Sequence, residues 1–266
     1  MSGAASDALR EVLTGPVRSA RVVGAGPFAA YLDADPDIVA IVTSDAVRLP
    51  CAVFLAHGQP VPSGLAPSTD TLVGRGAISW ATGDIRVQRW WRASQVQPAG
   101  VADEPVRALT ARLADHALPA GVPAALESAA ACLPAGDVDG AAESLAGVLG
   151  LGAGLTPSAD DAIAGLLLGA RATRLTTPAV VEEVGARLCE PARARTTAVS
   201  AALLAHAAVG RAAPQVVAVA EVLRGVGDTD AALNALWQLG HSSGADTAAG
   251  LLVAARAALA VSGRVQ

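Results

Sequence analysis

The chain has 266 residues, 52% of them hydrophobic and 16% charged, with a formal net charge of −5 and a pI near 5.3. So much apolar surface with so little charge excludes a disordered chain, and the length allows one large domain or two smaller ones of about 100–200 residues each. All 19 residues counted as Lys+Arg are arginine, and a lysine-free acidic chain lacks the basic field that phosphate-backbone binding needs, so nucleic acid is not an expected partner.

The opening segment MSGAASDALREV has neither a basic n-region nor an apolar h-region, so no secretory signal is expected. The longest uncharged stretches, such as Thr196 to Gly210 and Ser144 to Ala159, fall short of the roughly 20 residues of a spanning helix, and no membrane is expected. Cys51, Cys132 and Cys189 are odd in number, far apart and in no CxxC pair, which favours reduced thiols. The expected location is the cytoplasm.

Up to about Gln97 the chain reads as short β-branched or aromatic runs, Ala20 to Val23, Ile38 to Thr43, Ala52 to Ala56, Ile78 to Trp80 and Ile85 to Trp91, punctuated by Gly, Pro, Asp and Ser. That pattern predicts a small β-rich domain, a sandwich or barrel, over residues 1–97. Within it RVVGAGPFA (Arg21 to Ala29) fits a dinucleotide glycine fingerprint, with Asp45 about 20 residues on. Only Pro27 to Leu32 is available for the crossover helix before Asp33, Asp35 and Pro36 intervene. A turn between two strands is the better reading, and no cofactor is expected.

Ser94 to Pro105 is the expected junction. Beyond it the composition shifts to Ala, Leu, Glu and Arg with apolar residues at helical intervals, as in Val106, Leu109 and Leu113. Six or seven helices are predicted over residues 98–266, packed as a tight bundle because Ala and Gly let helices approach closely. The fold class is α+β: a β-rich domain followed by an α-helical one.

Three segments of the helical part carry chemistry. In Leu149 to Arg171, LGLGAGLTPSADDAIAGLLLGAR, the glycines Gly150, Gly152 and Gly154 form a loop from which an apolar helix opens. Thr156 caps it with Pro157 at the first position, or Ser158 caps it with Asp161 three residues on. Backbone N–H groups at such a helix start suit an anion. In Gly240 to Arg256, GHSSGADTAAGLLVAAR, setting Asp246 against Asp161 also matches Ser243 with Ser158, Gly250 with Gly165 and Arg256 with Arg171. This is read as a degenerate internal repeat whose two helix starts point at one shared cleft. Ordinary helix capping alone would explain both segments, but it needs neither the adjacent Asp160, nor the Gly-rich approach, nor His241 beside Ser242 and Ser243.

The third segment, Arg193 to Ser200 (RARTTAVS), is read as helical, with Thr196 and Ser200 one turn apart and Arg193 one turn before Thr197. Guanidinium and hydroxyl donors so placed suit a small oxyanion; a solvated helix face is the alternative. His206 reads as a packed histidine, and His57 and His116 as turn residues. Asp160, Asp161, His241 and Asp246 are hard-cation ligands in type, but no spacing demands a metal and none is expected.

Together GLGAGLTPSADD (Gly150 to Asp161), RTTAVSAALL (Arg195 to Leu204) and GHSSGAD (Gly240 to Asp246) resemble the AllH-type subunit family of oxamate carbamoyltransferase, found with allantoin degradation. The resemblance implies one subunit of an enzyme that phosphorolyses oxalurate to oxamate and carbamoyl phosphate, working with an acyl-CoA-synthetase-like partner and another subunit. One departure is Ala159 where the family usually has Gly. On this reading Asp160, Asp161, His241 and Asp246 are the expected catalytic residues. The expected binding residues are Gly152, Gly154, Thr156, Ser158, Arg195, Thr196, Thr197, Ser200, Ser242 and Ser243. The alternative is a non-catalytic assembly or regulatory subunit of such a complex.

Overall fold

A computed structural model of the protein describes residues 1–263, and the chain divides into two compact units between Ala93 and Ser94. The first unit runs β1 (Ser2–Ser6), α1 (Arg10–Thr14), β2 (Arg18–Ala25), β3 (Ala29–Ala34), β4 (Asp37–Val42), β5 (Ala52–Leu55), β6 (Asp70–Gly74), β7 (Ala77–Trp80) and β8 (Gly83–Trp91). The strands close into a barrel in the order β1-β5-β4-β3-β2-β6-β7-β8. The β1–β8 and β4–β5 pairs are parallel and the others antiparallel. Of the two expected β architectures the chain adopts the barrel, which leaves no unpaired edge. Alternation drives the packing: on β3, Ala30, Leu32 and Ala34 are buried while Ala29, Tyr31 and Asp33 are half-buried. Leu32, Ile41, Ile78 and Ile85 are among the large side chains wholly inside.

RVVGAGPFA is the end of β2, a turn and the start of β3, and those strands are antiparallel. A dinucleotide fold would need parallel strands joined by a helix here.

The second unit begins with an extended strap. Val96 N–H donates to Gly210 O, the Gln95 amide donates to Val209 O, and Ala99 N–H donates to Ala172 O. Among the described residues nine α-helices follow: α2 (Asp103–Arg112), α3 (Val122–Cys132), α4 (Val138–Ala146), α5 (Ser158–Ala172), α6 (Pro178–Arg195), α7 (Ala198–Ala208), α8 (Pro214–Val222), α9 (Thr229–Trp237) and α10 (Ser243–Gly263). Two or three more form than the periodicity predicts, because α3 and α4 and then α8 and α9 are split at Gly136 and Gly225, both at positive φ. By length and composition α10 could cross a bilayer. Counting uncharged runs missed it, since Asp246 and Arg256 interrupt the run without interrupting the helix. In the protein ten of its residues, from Gly244 to Ala258, are buried.

The centre of the unit is the pair α5 and α10, which run parallel and in near contact. A Cβ on Gly165 would lie 2.0 Å from Thr247 O, and one on Gly250 would lie 1.9 Å from Ala162 O. These contacts are reciprocal under the alignment of Asp246 with Asp161, which also sets Thr247 against Ala162. The matched glycines are therefore the two halves of one pseudo-two-fold helix crossing. Such an approach admits only glycine at both positions.

The thiols of Cys51, Cys132 and Cys189 are free, and burial pushes that of Cys51 up to about 12. On α7, burial and the neighbouring Arg211 hold the His206 imidazole down at about 4. The unfolded chain therefore binds the extra proton between about pH 6.5 and 4. Stability is expected to fall as pH drops through that window. Urea denaturation of His206→Gln should lose this part of the acid sensitivity.

Candidate functional site

Parallel packing brings the positive ends of two helix dipoles side by side, and each first turn carries acids: Asp160 and Asp161 on α5, Asp246 on α10. Opposite charge at these ends offsets the mutual repulsion of the two dipoles. The three carboxylates are nevertheless in different situations.

Asp160 is 1% exposed and fully partnered. Gly150 N–H donates to its Oδ1 at 2.9 Å, Ser200 Oγ donates to Oδ2 at 2.8 Å, and Thr196 Oγ1 donates to Oδ2 as well. It ties the glycine loop and the α6–α7 junction to the start of α5. Gly150 is required at its own position, since its φ is 79° and a Cβ would meet Arg195 O at 2.2 Å. Asp160→Ala is expected to leave buried donors unpaired, at about 2 kcal/mol of stability, with faster hydrogen exchange at Gly150 as the check.

RARTTAVS is not one helix. Thr196 ends α6, and Thr197 caps α7 by accepting from Ser200 N–H at 3.0 Å while its hydroxyl donates to Leu155 O. The Thr196 and Ser200 hydroxyls, read from sequence as an oxyanion grip, serve Asp160 instead. Arg195 is exposed and one guanidinium nitrogen donates to Ala146 O at the end of α4.

Asp161 differs from Asp160. The Thr156 and Ser243 hydroxyls beside it are hydrogen-bonded to each other at 3.0 Å, joining the two helix starts. Its Oδ2 is buried without a partner. Burial pushes the carboxyl up to about 7; the two hydroxyls oppose this, and the like charges of Asp246 and Asp160 add to it. Neither Thr156 nor Ser158 caps α5, whose N-cap position is Pro157 without a side-chain cap bond, so both registers offered by the sequence are set aside.

Asp246 is 1% exposed and holds His116, which lies on the loop after α2, with Nε2 2.9 Å from Oδ1. Its Oδ2, like that of Asp161, is buried without a partner. His116 is the residue the sequence reading missed. It was read as a turn residue, and nothing in its local sequence signals an acid 130 positions away. His241 stands exposed in the turn before α10, and Ser242 accepts the Asp246 N–H through its carbonyl. Gly152 and Gly154 lie in the exposed loop, both at positive φ. Among the described residues no set of three or more His, Cys, Asp or Glu is arranged to hold a metal ion.

The structure thus gathers Thr156, Asp161, Ser243, Asp246 and His116 at one place and Gly150, Asp160, Thr196 and Ser200 beside it. Two buried carboxylate oxygens without partners in one cluster are the chemical feature of the site, because such acceptors call for donors. Residues 148–255 match the family model described as oxamate carbamoyltransferase subunit AllH. No curated protein and no solved structure matches the chain.

Proposed function

We propose, from the match of residues 148–255 to the AllH family model, that this chain is a subunit of a carbamoyltransferase and that its site lies at the paired starts of α5 and α10. The observation that carries this reading is Asp161, a half-buried residue whose carboxyl is pushed up to about 7 and whose Oδ2 is buried without a partner, beside two hydroxyls. In phosphorolysis of oxalurate, a phosphate oxygen attacks the ureido carbon, the bond from that carbon to the oxamate nitrogen breaks, and the departing nitrogen takes up a proton. A carboxylic acid with pKa near the working pH is suited to giving that proton and regaining it. Asp161 has this role, Asp246 supports it from α10, and Asp160 holds the loop.

The anionic groups fall to the exposed Arg195 guanidinium, which retains donors beyond the one given to Ala146, and to main-chain N–H groups of the Gly152 to Ser158 approach. His241, Ser242 and the exposed loop form the rim of the site. The methyl of Ala159 is wholly buried, so the departure from the family's glycine is a packing matter and does not narrow the rim.

A partner subunit completes the site in this reading, and one observation favours a surface for it: Leu151 and Leu155, 40% and 44% exposed, sit on the glycine loop beside the acids. The same observation would serve a purely assembling subunit. The test is carbamoyl-phosphate-dependent carbamoylation of oxamate by the chain alone and with the subunits that co-purify with it. Transfer only in the complex, lost on Asp161→Asn, supports a shared site; transfer in the complex unaffected by that change leaves the assembling role.

A further inference from the structure

Asp246 is the most deeply buried group of the site that still has an unused acceptor. One side of its carboxylate is fixed by His116 at 2.9 Å, the side chain is 2% exposed, and Oδ2 has no partner. A buried carboxylate oxygen without a donor is unfavourable by more than a neutral group would be. The hydroxyls of Thr156 and Ser243 are engaged with each other. A hard cation would need a third oxygen or nitrogen ligand that the described residues do not arrange here, and an anion does not supply the N–H or O–H donor that a carboxylate oxygen calls for.

The geometry points to Asp246 as the specificity-determining residue of the site, its open Oδ2 accepting an N–H from the –NH2 of the group being transferred, with His116 as the positioning residue that fixes the carboxylate. This inference rests on the carbamoyl-transfer reading and deepens it, because it says how a carbamoyl group is told from an acetyl group of the same size. A methyl in place of –NH2 would bury the carboxylate with nothing to accept, and a site built around a polar partner rejects the analogue lacking it far more strongly than an apolar pocket rejects an added group.

The experiment uses the full chain and follows its backbone amides by NMR with urea, acetamide, acetone and inorganic phosphate as probes. Urea and acetamide are expected to give saturable shifts at residues 243–247 and on the His116 ring; acetone, the same shape without N–H, gives none. Asp246→Asn turns an amide donor toward the probe and should weaken urea binding by about tenfold or more, the worth of one such hydrogen bond. His116→Gln, on a loop outside the helix pair, should weaken it less and serves if the first variant does not fold. Acetone shifting the same amides as urea, phosphate displacing urea there, or urea binding equally well to both variants would overturn the inference, as would no saturable shift at all. The function reading fails separately. Absence of carbamoyl transfer in the complex while urea binds at Asp246 removes the reaction and leaves the site. Transfer in which Asp246→Asn leaves the preference for carbamoyl over acetyl phosphate unchanged does the reverse.

Discussion

Asp161→Asn is expected to abolish carbamoyl transfer while making the protein more stable, not less, at pH 8. Burial pushes the Asp161 carboxyl up to about 7 from an unfolded value of 3.8, with the like charges of Asp246 and Asp160 adding to the effect and the Thr156 and Ser243 hydroxyls opposing it. Between those two values the folded chain binds the proton that the unfolded chain has released. The contribution of the protonated carboxyl is therefore complete below about pH 4 and declines as pH rises through about 7. Above that the folded protein carries a half-buried carboxylate whose buried Oδ2 accepts nothing.

Asparagine is near-isosteric and removes the charge. A gain of roughly 1–3 kcal/mol at pH 8, and almost none at pH 4, follows from a shift of this size after discounting for partial solvation. Because asparagine does not deliver a proton to a departing nitrogen, the rate should fall by about 10²–10⁴. Urea midpoints at the two pH values and the transfer assay on the same preparation check both halves. A variant that melts far below the parent yet still turns over would return Asp161 to a helix-stabilising role.

The second large effect lies in the crossing of α5 and α10. Gly250→Ala would set a methyl 1.9 Å from Ala162 O and 2.6 Å from Leu166 N, and Gly165→Ala one 2.0 Å from Thr247 O. These neighbours are backbone, so no rotamer change relieves the overlap and the helices must part. Each substitution adds one buried methyl and would gain helix propensity on a free helix; here each is expected to lose about 3 kcal/mol, at the upper end for overpacking a core. For a protein of this size that is a fall in Tm of roughly 6–12 °C. The two losses should not add, because one separation of the helices accommodates both methyls. Calorimetry of the two single variants and the double variant tests this. Full additivity would mean that the two contacts are independent and that the pseudo-symmetric crossing is not one unit. Parting the helices also pulls Thr156 from Ser243, so urea binding at Asp246 should weaken in the same variants.

Much of this was legible in the sequence. The shift in composition near Ser94 separated strands from helices because the two pack by different periods, two residues against 3.6. The repeat of Ser, Asp, Gly and Leu identified α5 and α10 as equivalent, and the equivalence proved to be contact. Two strands escaped notice for a local reason: β1 is SGAAS and β6 is DTLVG between turn residues. Strand formation in such segments depends on partners supplied from elsewhere in the barrel, not on their own propensity.

At the site, the sequence by itself determined which acids and hydroxyls stand at the two helix starts, since a glycine-rich approach followed by apolar spacing marks a helix start locally, even though neither capping register formed. It could not determine how the charges are shared out. Asp160 and Asp161 are adjacent and chemically identical, yet one receives Gly150, Thr196 and Ser200 while the other keeps an open oxygen and a pKa near 7. Successive residues on a helix point about 100° apart. Only the packing of α7 on one side of α5 and of α10 on the other decided what each carboxylate met. His116 belongs to the site for the same reason, placed against Asp246 by the docking of its loop and by nothing in its own neighbourhood of the chain.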